Sequence, residues 1–133
     1  MMLVPGIMGV LEAWRGRVPM YVASAAPERE LREFLAKRGL AVYFDGIFGA
    51  PTRKLDILRS ILDTTGAAPY DCLMVGDSGS DQYAAEAAGM SFYGRGEYFK
   101  YTEWPWGHDL LSLNEYLEGM HGSHQEGPEA NDV

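Results

Sequence analysis

The 133-residue sequence has little cysteine, no long apolar run and no excess of positive charge. Its one cysteine, Cys72, excludes an intrachain disulfide. Cys72 sits within the apolar stretch "CLMV", where a thiol usually serves packing, and the pattern suits a reducing, cytoplasmic setting. No apolar run approaches the roughly 18 residues that span a bilayer. The opening "MMLVPGIMGV" has neither a basic stretch nor a small-residue cleavage site, which argues against a secretory signal. Lys and Arg number 11 against 19 Asp and Glu, for a net charge of −8. Without a basic stripe interleaved with aromatics, nucleic acid is not an expected partner. The same acidity argues against anionic membranes.

What is present is a pattern of short strands alternating with amphipathic helices. "IMGVLEAWR" sets Ile7, Leu11 and Trp14 on one helical face. "VPMYVAS", 18–24, reads as a strand. Pro27 suits the first turn of the next helix, Glu28 and Glu30 favour its positive end, and Gly39 closes it. A short strand at 46–49 leads to a helix that Thr52 can cap and Gly66 ends, with Leu55, Leu58, Ile61 and Leu62 as its core stripe. "DCLMVGD", 71–77, is the next strand, Ser80 to Ala88 the next helix, and "SFYG", 91–94, a last short strand. Ser112 can cap a final helix, "LNEYLEG". The expected domain is residues 1–118, with 119–133 a polar, disordered tail. This alternation implies an α/β fold: a Rossmann-like, three-layer arrangement around a parallel sheet of about four strands. Ligands of such sheets sit beyond the carboxyl ends of the strands. Ser24, Gly49 and Asp77 all fall near those ends.

Three groups of residues at these ends can carry chemistry. Asp77 and Asp81, a helical turn apart where strand becomes helix, can hold a hard cation such as Mg²⁺; equally, Asp77 and Ser80 can simply cap the helix. Ser24, before "AAPE", offers a hydroxyl beside backbone N–H groups, an anion site or another cap. Lys54 stands near a helix start, where a cation is unfavourable with the dipole. It suggests an anion to neutralise, or a solvated surface lysine. His121 and His124 have a metal-compatible spacing but no third ligand. The aromatics Tyr98, Phe99, Tyr101, Trp104 and Trp106 crowd one segment and read as packing against the sheet edge, with an interface as the alternative.

In order and spacing these groups resemble the haloacid dehalogenase superfamily. "MYVASAAP" looks like its second motif, "APTRKLDIL" its third and "MVGDSGSDQYAAEAAGM" its fourth. "GLAVYFDGIFG" and "AAGMSFYGR" resemble linkers of the phosphoglycolate phosphatase and β-phosphoglucomutase branch. The resemblance runs from about residue 5 to about residue 118. It implies Ser24, Ala25 and Lys54 as phosphate-binding residues, Asp77 and Asp81 as Mg²⁺ ligands, and a Mg²⁺-dependent phosphatase of small phosphorylated metabolites. The family's first motif is a central strand ending in Asp-x-Asp-x-Thr, whose first Asp is the nucleophile. No Asp-x-Asp occurs in this sequence, and Asp45 is the only Asp before Lys54. The resemblance also implies a cap domain that this sequence does not contain. The expectation is a core with no catalytic residue of its own, inactive alone, binding phosphate and, weakly, Mg²⁺; the alternative is a non-catalytic assembly module. The two strands flanking the absent one should be left with unpaired edges. They could close on each other, take up "MMLVP", or accept a strand from a second copy or a partner chain.

Overall fold

The computed structural model describes residues 6–125, with side chains to Gly119. The elements are α1 (Ile7–Trp14), β1 (Tyr21–Pro27), α2 (Glu28–Lys37), β2 (Gly46–Ala50), α3 (Lys54–Thr65), β3 (Leu73–Gly76), α4 (Gly79–Ala88), β4 (Ser91–Arg95), β5 (Trp106–Gly107) and α5 (Leu113–Gln125). Three 3₁₀ turns punctuate them, at Ala41–Tyr43, Pro69–Asp71 and Glu97–Tyr101. The fold is α/β with every strand pair parallel, as the alternation implied.

The period-2 alternation of strand side chains builds a layer on each side of the strands. Phe92 and Met74 point into one cluster with Leu58 of α3 and Ala84 and Ala85 of α4. Tyr93 and Leu73, next along their strands, point the other way, toward Val10 and Trp14 of α1 and Leu113 and Leu117 of α5. A third cluster joins Leu11 of α1 to Leu31 and Leu35 of α2 and to Ile47 of β2. Helices α1, α2 and α5 thus cover one face, and α3 and α4 the other. The Trp14 indole donates to Asn114 Oδ1 at 2.7 Å, tying α1 to α5 across the layer.

The strands do not form one sheet. They form a pair, β2–β1, and a triplet, β3–β4–β5. Shared clusters place them in one layer: Ala23 of β1 packs against the cluster that holds Met74 of β3 on one face, and Met20, just before β1, and Leu73 of β3 both pack against the cluster on the other. Yet β1 and β3 are not hydrogen-bonded to each other, and among the described residues no strand lies between them. Closure of the two flanking strands is therefore not the arrangement adopted. The break shows in burial. Inner strands of a doubly covered sheet are normally the driest. Here no residue of β1 is fully buried and Val75 of β3 is 36% exposed, whereas Phe92 and Tyr93 of β4 are at 0% and 2%.

Several boundaries differ from expectation for local reasons. β1 starts at Tyr21, not Val18, because pairing begins with Tyr21 opposite Gly46; the Met20 N–H instead donates to the Asp45 carboxylate at 3.0 Å. Thr52 does not cap α3: Arg53 holds that position without a side-chain bond. Ser112 spends its hydroxyl on Tyr93 at 2.8 Å. α5 continues past Gly119 to Gln125, so the backbone of His121 and His124 is helical, though their side chains lie outside those described. Met1 to Val4, offered above as a filler strand, and the tail beyond Gln125 also lie outside the described residues.

Candidate functional site

The strand-to-helix turn after β3 is organised by Ser78 and Asp81. The Ser78 hydroxyl accepts the Asp81 N–H at 3.2 Å. Asp81 Oδ2 accepts the N–H groups of Asp77 at 3.1 Å and Ser78 at 3.3 Å. This is a reciprocal capping box, satisfying N–H groups that a helix start leaves without partners. The cap is therefore Ser78, not Asp77 or Ser80. Asp81 folds so closely over the strand end that a Cβ on Gly76 would collide with its side chain. The result is a carboxylate only 5% exposed.

A buried carboxylate needs a counter-charge. Lys54, the first residue of α3, supplies it, with Nζ 2.5 Å from Asp81 Oδ1. The same ammonium lies 3.4 Å from Ser80 Oγ, which in turn bonds Ser78 Oγ at 3.0 Å. The anion suggested by a lysine at a helix start is, in this structure, Asp81. Asp77 turns outward instead, with its side chain 57% exposed, and accepts from the Arg95 guanidinium at 3.0 Å. Two carboxylates and two cations thus form one chain of contacts with no net charge.

Sequence reasoning missed Arg95. It ends β4, and the register Gly76↔Gly94 brings Arg95 beside Asp77, the residue that follows β3; only the register carries that signal. It also missed Glu28, whose Oε1 accepts the Gly49 N–H at 3.2 Å. The Gly49 N–H, near a strand end, is thus already used. Ser24 lies inside β1, three residues before its end, and its Oγ accepts the Ala26 N–H at 3.1 Å. Ala25 beside it is exposed. Their link to Lys54 runs through packing, since Ala23 and Leu55 join one apolar cluster. No hydrogen bond connects Ser24 to Lys54 among the described residues.

The donor set can be tested against Mg²⁺, which favours octahedral oxygen ligation. Both Asp81 oxygens are engaged, by Lys54 and by two backbone N–H groups. Asp77 keeps one oxygen out of its ion pair. No group of three or more acidic, His or Cys side chains gathers among the described residues. As arranged, these residues do not complete a Mg²⁺ site by themselves. Away from this edge, Cys72 precedes β3, its thiol pKa raised chiefly by burial and further by Asp71. A cavity of about 380 Å³ lined by Arg15, Arg17, Tyr43 and Asp45 adjoins Val18 and Pro19, before the amino-terminal end of β1 and away from Asp77.

A family model described as haloacid dehalogenase-like hydrolase matches residues 2–89, well over half of the chain. The chain belongs to the haloacid dehalogenase-like hydrolases. It is 34% identical over 126 residues to a 5'-nucleotidase of Pseudomonas aeruginosa, covering 85% of this chain and 57% of that protein. It is 37% identical over 93 residues to phosphoglycolate phosphatase 1 of the same organism, covering 65% and 34%. The chain therefore spans about a third to just over half of these curated relatives. A solved structure of a provisionally named beta-phosphoglucomutase from Thermotoga maritima superposes with a TM-score of 0.75 at 23% identity, covering 86% of this chain and 59% of that one. At that identity the likeness concerns the fold. Among the described residues of this haloacid dehalogenase-like hydrolase, no helix is long and apolar enough to cross a membrane.

Proposed function

We propose that this chain is the phosphate-holding part of a Mg²⁺-dependent phosphatase of small phosphorylated metabolites, inactive by itself and completed by a strand seated between β1 and β3. The observation that carries this reading is the break in the sheet. Among the described residues, two half-sheets share one layer and no strand pairs with their inner edges, and the charged chain Lys54–Asp81, Asp77–Arg95 begins where β3 ends. A strand in that place would deliver its last residues to these groups. Covalent phosphoryl transfer needs a positioned carboxylate nucleophile, and this sequence has no Asp-x-Asp to provide one.

Each residue then has a role. Lys54 supplies the positive charge for a phosphoryl group, held in place by Asp81. Ser24 and the backbone at Ala25 offer further donors on the β1 side. Asp77, exposed and with one oxygen free of its ion pair, is the residue that would meet a metal, whose remaining ligands must come from outside the described residues. The relatives named as a nucleotidase and a phosphoglycolate phosphatase support phosphate monoesters as the substrate class. A strand that carries the nucleophile comes from outside these 133 residues, since a second copy has no Asp-x-Asp either.

A second reading, a non-catalytic assembly module, draws on the exposed Val75 and the open edges alone. Titration with inorganic phosphate separates the two. The phosphatase reading expects weak binding that Lys54→Ala removes. Binding untouched by Lys54→Ala, or none at all, favours the assembly module.

A further inference from the structure

We infer that the cavity before the start of β1 is a second ligand site, for a small organic acid with an oxyanion at one end and a hydrogen-bond donor at the other. It lies at the amino-terminal end of β1, whereas Lys54, Asp77 and Asp81 lie beyond the carboxyl ends of the strands, so the inference stands apart from the phosphatase reading. Its volume of about 380 Å³ falls in the range of small-molecule clefts. Both walls are fixed by backbone bonds. On one side Gly16, at φ +81°, turns the chain after α1, and the N–H groups of Arg17 and Val18 return to Trp14 O at 3.0 and 3.3 Å. On the other, the Tyr43 N–H donates to Leu40 O at 3.1 Å. Asp45 ties the two together: its N–H donates to Met20 O at 2.7 Å, and its Oδ2 accepts the Met20 N–H at 3.0 Å.

The two arginines of the cavity differ in what they already hold. Arg17 lies 4.0 Å over the Trp14 ring and pairs with Glu118 at 3.1 Å, so its charge is balanced. Arg15 lies over the Tyr43 ring, 5.1 Å from its centroid. Among the described residues no carboxylate stands within ion-pair distance of Arg15. Stacking on an aromatic face orients a guanidinium without consuming its N–H donors. Arg15 therefore presents a planar fork to an oxyanion. Asp45 sets the chemistry of the other end. Its Oδ1 has no partner among the described residues, so it can accept from a hydroxyl or amino group, and its charge repels a second anion. Val18, Pro19 and Val42 supply the apolar lining for the body of the molecule.

The test is a titration of the isotope-labelled 133-residue chain with 4-hydroxybenzoate, followed by NMR. Saturable shifts are expected at the amides of Arg15 to Val18 and of Val42 to Asp45. R15Q, at an exposed position, should weaken binding about three- to tenfold, the worth of one charge-assisted fork open to water. Terephthalate, whose second carboxylate meets Asp45, should bind about threefold more weakly than 4-hydroxybenzoate, and D45N should close that gap. K54A should leave this binding unchanged, which separates the site from the one proposed for phosphate. Thermal melts check folding, and the terephthalate comparison needs no variant should R15Q not fold. Absent or unsaturable shifts at these amides, R15Q binding within about twofold of wild type, or binding lost in K54A overturns the inference. So does terephthalate binding as tightly as 4-hydroxybenzoate, or a preference that survives D45N.

Discussion

Replacing Lys54 by Met removes the counter-charge of a buried carboxylate while keeping much of the side-chain volume. Asp81 is 5% exposed, and without Lys54 it keeps only the N–H groups of Asp77 and Ser78, at 3.1 and 3.3 Å. Breaking a buried ion pair from one side costs about 3–5 kcal/mol. Two offsets apply. The charge-assisted backbone bonds survive, and the Lys54 side chain is 19% exposed, so water can approach the position it leaves. We therefore expect a loss of roughly 2–3 kcal/mol, a large share of the 5–15 kcal/mol typical of a domain. Urea unfolding followed by circular dichroism measures it. Asp81→Asn leaves the lysine free to reach water, so its cost should be smaller, about 1–2 kcal/mol. In a double-mutant cycle the two changes should couple by at least about 1 kcal/mol. A Lys54→Met protein within about 0.5 kcal/mol of wild type would refute the argument that this pair compensates a buried charge.

Three further outcomes follow from the same structure. The open edges of β1 and β3 should make the chain self-associate, with a twofold dimer the commonest form; sedimentation equilibrium across micromolar concentrations checks this, and a clean monomer throughout would mean the edges are satisfied within the chain. The raised pKa of Cys72 should slow its alkylation by iodoacetamide near pH 8 relative to a free thiol. For stability the sign is fixed: a raised folded-state pKa stabilises fully below the unfolded value, and that contribution is lost as pH rises through the folded one. Alkaline pH should therefore weaken the native protein while a Cys72→Ala variant loses this dependence.

The main elements were legible because each carried its own local signal. Gly66 and Gly89 end α3 and α4 in the left-handed conformation, and of the expected α3 stripe Leu58 is buried with Leu55 and Leu62 packed against the same cluster, whereas the fully buried Ile57 was not in it. β5 was not legible: two residues have no periodicity, and its pairing depends on where the aromatic segment folds back. In the site, the spacing of Asp77 and Asp81 suggested a matched pair, yet their environments differ. The pattern Ser78-x-x-Asp81 already spelled a capping box, and it draws Asp81 inward while Asp77 faces solvent. Arg95 could not be found from spacing along the chain, because it meets Asp77 through strand register. The absent Asp-x-Asp strand made unpaired edges at β1 and β3 an expectation but left open whether the two strands close on each other; the two separate sheets show that they do not.

The most direct measurement is turnover of p-nitrophenyl phosphate by the purified chain in Mg²⁺, alone and with an added synthetic peptide forming an apolar strand that ends in Asp-x-Asp-x-Thr. The account predicts no turnover by the chain alone, and turnover on adding the peptide that disappears when its first Asp is replaced by Asn. Robust turnover by the chain alone, lost in Asp77→Asn, would contradict it, since the nucleophile would then already lie within these 133 residues.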